Sequence, residues 1–187
     1  MPPRLLLLAL AIHCANGSAQ NVVAIHMQGQ PLIYTEAGQA KGCGVRVIGI
    51  IGADQPGRTF TSFDVSVNVY ASGLALGKVI GEVNTPTGDA TARSVRQPVF
   101  GTWFRAGSLA PVAPINKSFK ASSDKGAYLF QAGFSESVDL IISMLKQEEL
   151  SVAVAWKRDR EVIYTGTPLL QDSERQRVLA CLQEAIK

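Results

Sequence analysis

From Val22 to Phe130 short runs of β-branched and aromatic residues are separated by Gly, Pro, Asn, Asp and Ser, the punctuation of consecutive strands. The clearest run is Phe63 to Tyr70, where Phe63, Val65, Val67 and Val69 alternate with Asp64, Ser66, Asn68 and Tyr70. Period two puts the four apolar side chains on one face and leaves the opposite face wet or lined with polar partners. Val45 to Ile51 is more evenly apolar, which predicts a central strand covered on both sides. Leu32 to Thr35, Leu74 to Val83, Val99 to Arg105 and Ala127 to Gln131 are the remaining expected strands of this half. Thr85 to Arg96 and Ala106 to Ser123 carry Pro, Gly, Ser and Lys without a clear period and read as loops, the places where a binding site is to be sought first.

The period then changes. In Glu136 to Lys146 the apolar residues Val138, Ile141, Ile142 and Leu145 recur at helical spacing, with Ser135 available as an N-cap. Val152, Val154 and Trp156 alternate with Ser151, Ala153 and Ala155, a charged turn follows, and Glu161 to Thr165 runs back as the second arm of a hairpin. Pro168 ends that arm. Ser173 to Gln176 reads as a capping box opening a last helix, in which Val178, Cys181, Leu182 and Ala185 share one face. The expected fold class is α+β: an antiparallel, sandwich-like β region followed by helix, β-hairpin and C-terminal helix.

The first residues divide into Met1-Pro2-Pro3-Arg4, the apolar run Leu5 to Ile12 and a stretch of small polar residues ending at Gln20, the layout of a secretory signal. An apolar run this short is far below the roughly 20 residues a spanning helix needs, so a removed signal over 1–19 and one soluble domain over 20–187 are expected. Cleavage falls before Ser18 or before Gln20, and either cut removes Cys14. His13 stands directly before Cys14 where a lipid anchor would need a small residue. No later segment is long and apolar enough for a membrane span, and the destination is the periplasm or the extracellular space.

Export leaves Cys43 and Cys181 in an oxidising compartment, where paired thiols are normally joined. A Cys43–Cys181 disulfide is therefore expected, tying the last helix to an early strand. A net charge of +3, +2 once Arg4 is gone, with Lys and Arg scattered along the chain, offers none of the concentrated basic surface of a nucleic-acid binder. The apolar content of 47% and charged content of 18% are those of a folded globule.

Candidate chemistry is sparse. Gly52 to Thr59 approximates a phosphate loop with Arg58 in place of Lys, but Pro56 lacks an N–H, Asp54 repels phosphate, and a strand rather than a helix follows. Gly73 to Lys78 is too short for the same motif, and Gly42-Cys43-Gly44 reads as a close-packed strand start. His26 is the one histidine left after export, expected on or beside an early strand; it excludes multi-histidine zinc sites and has no serine elbow to serve. No cofactor and no metal are expected.

Asp64, Glu36, Glu82 and Asp89 lie in the β-rich half and would have to converge in one cleft to support hydrolysis. Phe100, Trp103 and Phe104 read mainly as core, with Trp103 on the opposite strand face from the other two. The candidate binding surface is Trp103, Arg105, Lys117 and Lys120, beside a glycosylation sequon at Asn116-Lys117-Ser118. These features point to an exported, non-enzymatic binding or structural protein of the periplasm or cell envelope, whose unknown partner is a protein, a peptide or a glycan. The alternatives are a carboxylate-dependent hydrolase of envelope polymer and an inhibitor or immunity-type protein against a secreted enzyme.

Overall fold

The computed structural model describes residues 21–52, 57–87, 92–119 and 126–186, with the side chains of 116–119 excepted. The expected signal, residues 53–56 of the Gly52 to Thr59 segment, Asp89 and Lys120 lie outside the described residues. In chain order the elements are β1 (Asn21–Ala24), β2 (His26–Glu36), β3 (Gln39–Ile51), β4 (Phe60–Tyr70), β5 (Ala75–Pro86), β6 (Ala92–Gln97), β7 (Gly101–Ala106), β8 (Asn116–Phe119), β9 (Tyr128–Ala132), α1 (Phe134–Leu145), β10 (Leu150–Lys157), β11 (Arg160–Gly166), β12 (Pro168–Leu169) and α2 (Asp172–Ala185).

They form the α+β arrangement of two largely antiparallel sheets with a C-terminal helix. The larger sheet runs β12-β2-β3-β4-β5-β9-β8, and the smaller runs β1-β11-β10-β7. The free edge of β5 is shared: β9 pairs with its first half, Ala75 to Val79, and β6 with its second half, Gly81 to Pro86. Among the described residues only β1–β11 and β12–β2 pair in parallel.

Phe63, Val65, Val67 and Val69 of β4 are buried on the inner face of the large sheet, as their period-two spacing predicts. Over part of that face lies the small sheet, which contributes Phe104, Val152, Val154 and Tyr164; Phe63 meets Tyr164 at 5.3 Å between ring centroids, and Phe104 meets Phe130 at 5.6 Å. Trp156 Nε1 donates to Tyr164 Oη at 2.8 Å; burial raises the Tyr164 pKa, and this hydrogen bond opposes the rise. The tip of the Phe130 ring reaches over Gly77 of β5, into space that a Cβ there would claim.

The two helices cover the rest of the inner face. Leu140, Ile141, Met144 and Leu145 of α1 are buried, and Val178, Cys181, Leu182 and Ala185 of α2 are the buried residues of the last helix, the four expected. The Cys43–Cys181 disulfide is present, with the two Cα atoms 5.8 Å apart, and fastens α2 to β3. The Ala40 N–H also donates to Glu184 Oε1 at 2.9 Å.

Several local expectations are corrected. β2 begins at His26, well before Leu32: Pro31 pairs with Val45 of β3, and on the other side β12 pairs only with Met27 and Gln28, so the proline stands beside an open edge. β3 is covered on one face only: Val45 and Val47 are buried, whereas Ile48 is partly exposed and Ile50 exposed on the other face. The expected loop Thr85 to Arg96 ends in β6, which has no buried face and so no hydrophobic period; backbone pairing to the free edge of β5 makes it a strand. In the second expected loop, Val112 bridges to Phe104 and Asn116–Phe119 pairs with β9.

Both helix starts also move. The N-cap of α1 is Gly133 rather than Ser135, since partly buried Phe134 packs on the core as the first helical residue. The N-cap of α2 is Gln171 rather than Ser173, and Glu174 accepts from the Gln171 N–H at 2.9 Å. Phe100 was expected in the core, but β7 starts one residue later, its parity does not reach back, and Phe100 is 46% exposed.

The end of α1 yields a stability prediction. Glu148 N–H bonds Ser143 O and Gln147 N–H bonds Met144 O, closing the helix with a left-handed residue. That residue is Gln147, at φ 59°, and its side-chain amide reaches Leu170 O only at 3.5 Å. Gln147→Gly is expected to stabilise the protein by about 1 kcal/mol, because the left-handed conformation costs a side-chain-bearing residue that much. A thermal melt against the unaltered protein checks it, and a lower midpoint would contradict it.

Candidate functional site

The outer face of the large sheet is the candidate site. β3, β4 and β5 are paired along both edges here, so their outward side chains stand in cross-strand rungs. One rung is Gln30, Arg46, Ser66, Lys78 and Leu129; the next is Leu32, Gly44, Asn68, Leu76 and Gln131. Tyr34 and Tyr70 stand on either side of Gly42 beyond them, with ring centroids 5.8 Å apart. On this face lies a hollow of about 670 Å³ bordered by Leu32, Tyr34, Arg46, Asp64, Asn68, Tyr70 and Lys78. A smaller hollow of about 270 Å³ adjoins it, shares Arg46, Asp64 and Arg96, and brings in Ile48 and Glu82.

At the centre, Arg46 holds Asp64 bidentately, Nε to Oδ1 at 2.9 Å and Nη2 to Oδ2 at 2.7 Å, and Nη1 reaches Gln30 Oε1 at 3.4 Å. The hydrogen bond to Asp64 raises the Arg46 pKa above its ordinary value, against a smaller opposing effect of burial. Arg96 faces Glu82 at 3.6 Å. Burial, with Tyr34 alongside, pushes the Tyr70 hydroxyl pKa up.

Two asparagines are buried on this face and differ in one respect. Asn84 is satisfied at both ends of its amide, donating to Ser62 Oγ at 2.9 Å and accepting from Ser94 Oγ at 2.6 Å. Asn68, 5% exposed, reaches Ser66 Oγ through Nδ2 at 3.5 Å, and its Oδ1 has no hydrogen-bond partner among the described residues. That oxygen lies over Gly44, in the space a side chain there would fill.

The sequence-derived surface is divided. Trp103 and Arg105 sit together on the outer face of the small sheet, the guanidinium carbon 5.7 Å from the indole centroid and Trp103 Nε1 donating to Glu161 Oε2 at 3.1 Å. Lys117 belongs to β8 in the other sheet, with its side chain outside the described residues, as is all of Lys120. His26 lies on β2, exposed, beside Ile50 and Leu169. Of the acids weighed, Asp64 and Glu82 converge on the smaller hollow, while Glu36 is exposed at the end of β2.

Sequence reasoning passed over Arg46, Asn68, Tyr34, Tyr70 and Arg96 as site residues. The polar phase of Phe63 to Tyr70 was the available signal, since it placed Asp64, Ser66, Asn68 and Tyr70 on one face. Comparison with protein-family models, with curated proteins and with solved structures finds no match for this chain.

Proposed function

We propose that this is an exported, non-enzymatic binding protein of the periplasm or cell envelope that holds its ligand on the outer face of the larger sheet. The observation that carries the reading is the hollow itself, lined by Arg46, Asp64 and the buried polar residues Ser66 and Asn68, with a tyrosine pair at one end. A merely wetted sheet face has no need of a buried, unpartnered amide oxygen. Export is supported by the signal-like first residues and by the Cys43–Cys181 bridge, which persists in oxidising compartments.

One observation favours the hydrolase reading, the convergence of Asp64 and Glu82 on one hollow. Both carboxylates are ion-paired with arginines, so each can still accept from a ligand hydroxyl but neither stands free as the proton donor a hydrolase of this kind needs, and binding is the better reading.

Photocrosslinking in the native cells tests the proposal. A benzophenone amino acid at position 34, on the rim, is expected to give a covalent adduct on protein that has lost its first residues, and the same group at position 103 is expected to give none. Adducts from position 103 alone, or none from either, would overturn it.

A further inference from the structure

We infer that the ligand of this face is an uncharged glycan, whose pyranose rings lie against Tyr34 and Tyr70 while its hydroxyls meet the side chains of Arg46, Asp64, Ser66 and Asn68. The inference rests on the binding reading above and adds the class of ligand.

Four observations lead there. First, the hollow lies in the middle of the sheet. The backbone groups of β3, β4 and β5 are consumed by their own ladders, so a peptide cannot add as a strand, which requires a free edge. Whatever binds must be recognised by side chains alone. Second, Arg46 and Arg96 each face a carboxylate inside the face, so their charge is spent locally and no cluster of guanidiniums awaits a phosphate or a carboxylate.

Third, the polar groups offer donors and acceptors within one or two rungs of each other. A hydroxyl that both donates and accepts matches such a mixture, and Asp64 keeps lone pairs beyond the two that Arg46 engages. The tyrosines supply an apolar ring face with a polar tip, suited to the C–H face and the hydroxyl edge of a sugar ring. Fourth, the Asn68 amide is incomplete. Its Nδ2 reaches only Ser66 Oγ, at 3.5 Å, and its Oδ1 has no partner among the described residues. Leu32 and Tyr34 stand at the rim of the hollow and are partly or largely exposed; a ligand hydroxyl passing between them completes the amide.

The test titrates the mature protein with cellohexaose, maltohexaose and chitohexaose, and in parallel with a pool of hexapeptides, following the side-chain amide resonances of Asn68, Asn84 and the other amides by NMR. At least one oligosaccharide is expected to shift Asn68 while leaving Asn84 in place. Asn68→Leu, which removes the unpaired oxygen, is expected to weaken that binding about tenfold or more without lowering the melting midpoint, since loss of a lone buried acceptor is not destabilising. Tyr34→Ala, on the exposed rim, is expected to weaken it similarly and gives a second variant that retains the fold. If peptides move Asn68 and no sugar does, the binding face stands and the glycan is wrong. If neither moves it, both readings fall. A midpoint well below that of the unaltered protein for Asn68→Leu would show a structural amide and overturn the role assigned to it.

Discussion

Replacing both cysteines, Cys43→Ala with Cys181→Ala, is expected to destabilise the protein by about 5 kcal/mol, the value the chain-entropy model assigns to a loop of this size. The bridge closes 138 positions of sequence, nearly all of the described chain, so cutting it frees the unfolded state far more than it disturbs the folded one. Both half-cystines are buried where α2 rests on β3, and the small residues left behind make only a modest void. For a domain of this length each kcal/mol moves the midpoint by about 2–4 °C, so a fall of roughly 10–20 °C is expected. A comparable fall should follow when the protein is melted in a strong thiol reductant. A change of only a degree or two in both experiments would show that α2 is held by packing and by the Ala40–Glu184 hydrogen bond, with the bridge adding nothing.

The second large effect is expected at Phe130. It is fully buried, meets Phe104 and Tyr128 at ring-centroid distances of 5.6 and 6.1 Å, and lies over Gly77. Phe130→Ala removes that contact surface and leaves a cavity between the sheets, at a cost of about 3–5 kcal/mol. Gly77→Ala attacks the same contact from the other side by driving a methyl group into the ring, at about 1–3 kcal/mol. Because the two changes act on one volume, they are expected not to add: in the double variant the new methyl group enters the space the ring has left, and the total falls below the sum of the singles. Urea unfolding of the four proteins measures the coupling. Strict additivity would mean that β5 and β9 yield independently and that Phe130 is not seated on Gly77.

Much of the fold was legible in the order of residues. Phe63 to Tyr70 announced its two faces because an antiparallel strand with one buried side must alternate. The buried stripe of α2 was legible for the corresponding helical reason, and Cys43 and Cys181, the two cysteines among the described residues, are joined as expected. What escaped had no side-chain signature: β6 is exposed throughout and exists because β5 offers it an unpaired edge. The N-caps moved by two residues in both helices, because Phe134 and the Gln171–Glu174 contact set the starts.

The candidate site divides along the same line. Local sequence determined that Asp64, Ser66, Asn68 and Tyr70 point away from the core, since that follows from the backbone period and nothing else. Only the tertiary structure decided that Arg46 and Lys78 stand beside Ser66, that Tyr34 comes within 5.8 Å of Tyr70, and that the glycines of β3 leave room above them. Register between strands distant in sequence is set by the summed packing of the inner face, in which no single residue pair is decisive, so no short stretch of sequence carries it. The same applies to the hairpin of β10 and β11: its turn is local, but its partners β7 and β1 come from the middle and the beginning of the described chain, β7 through the burial of Phe104 and Ala106 and β1 through backbone pairing with β11.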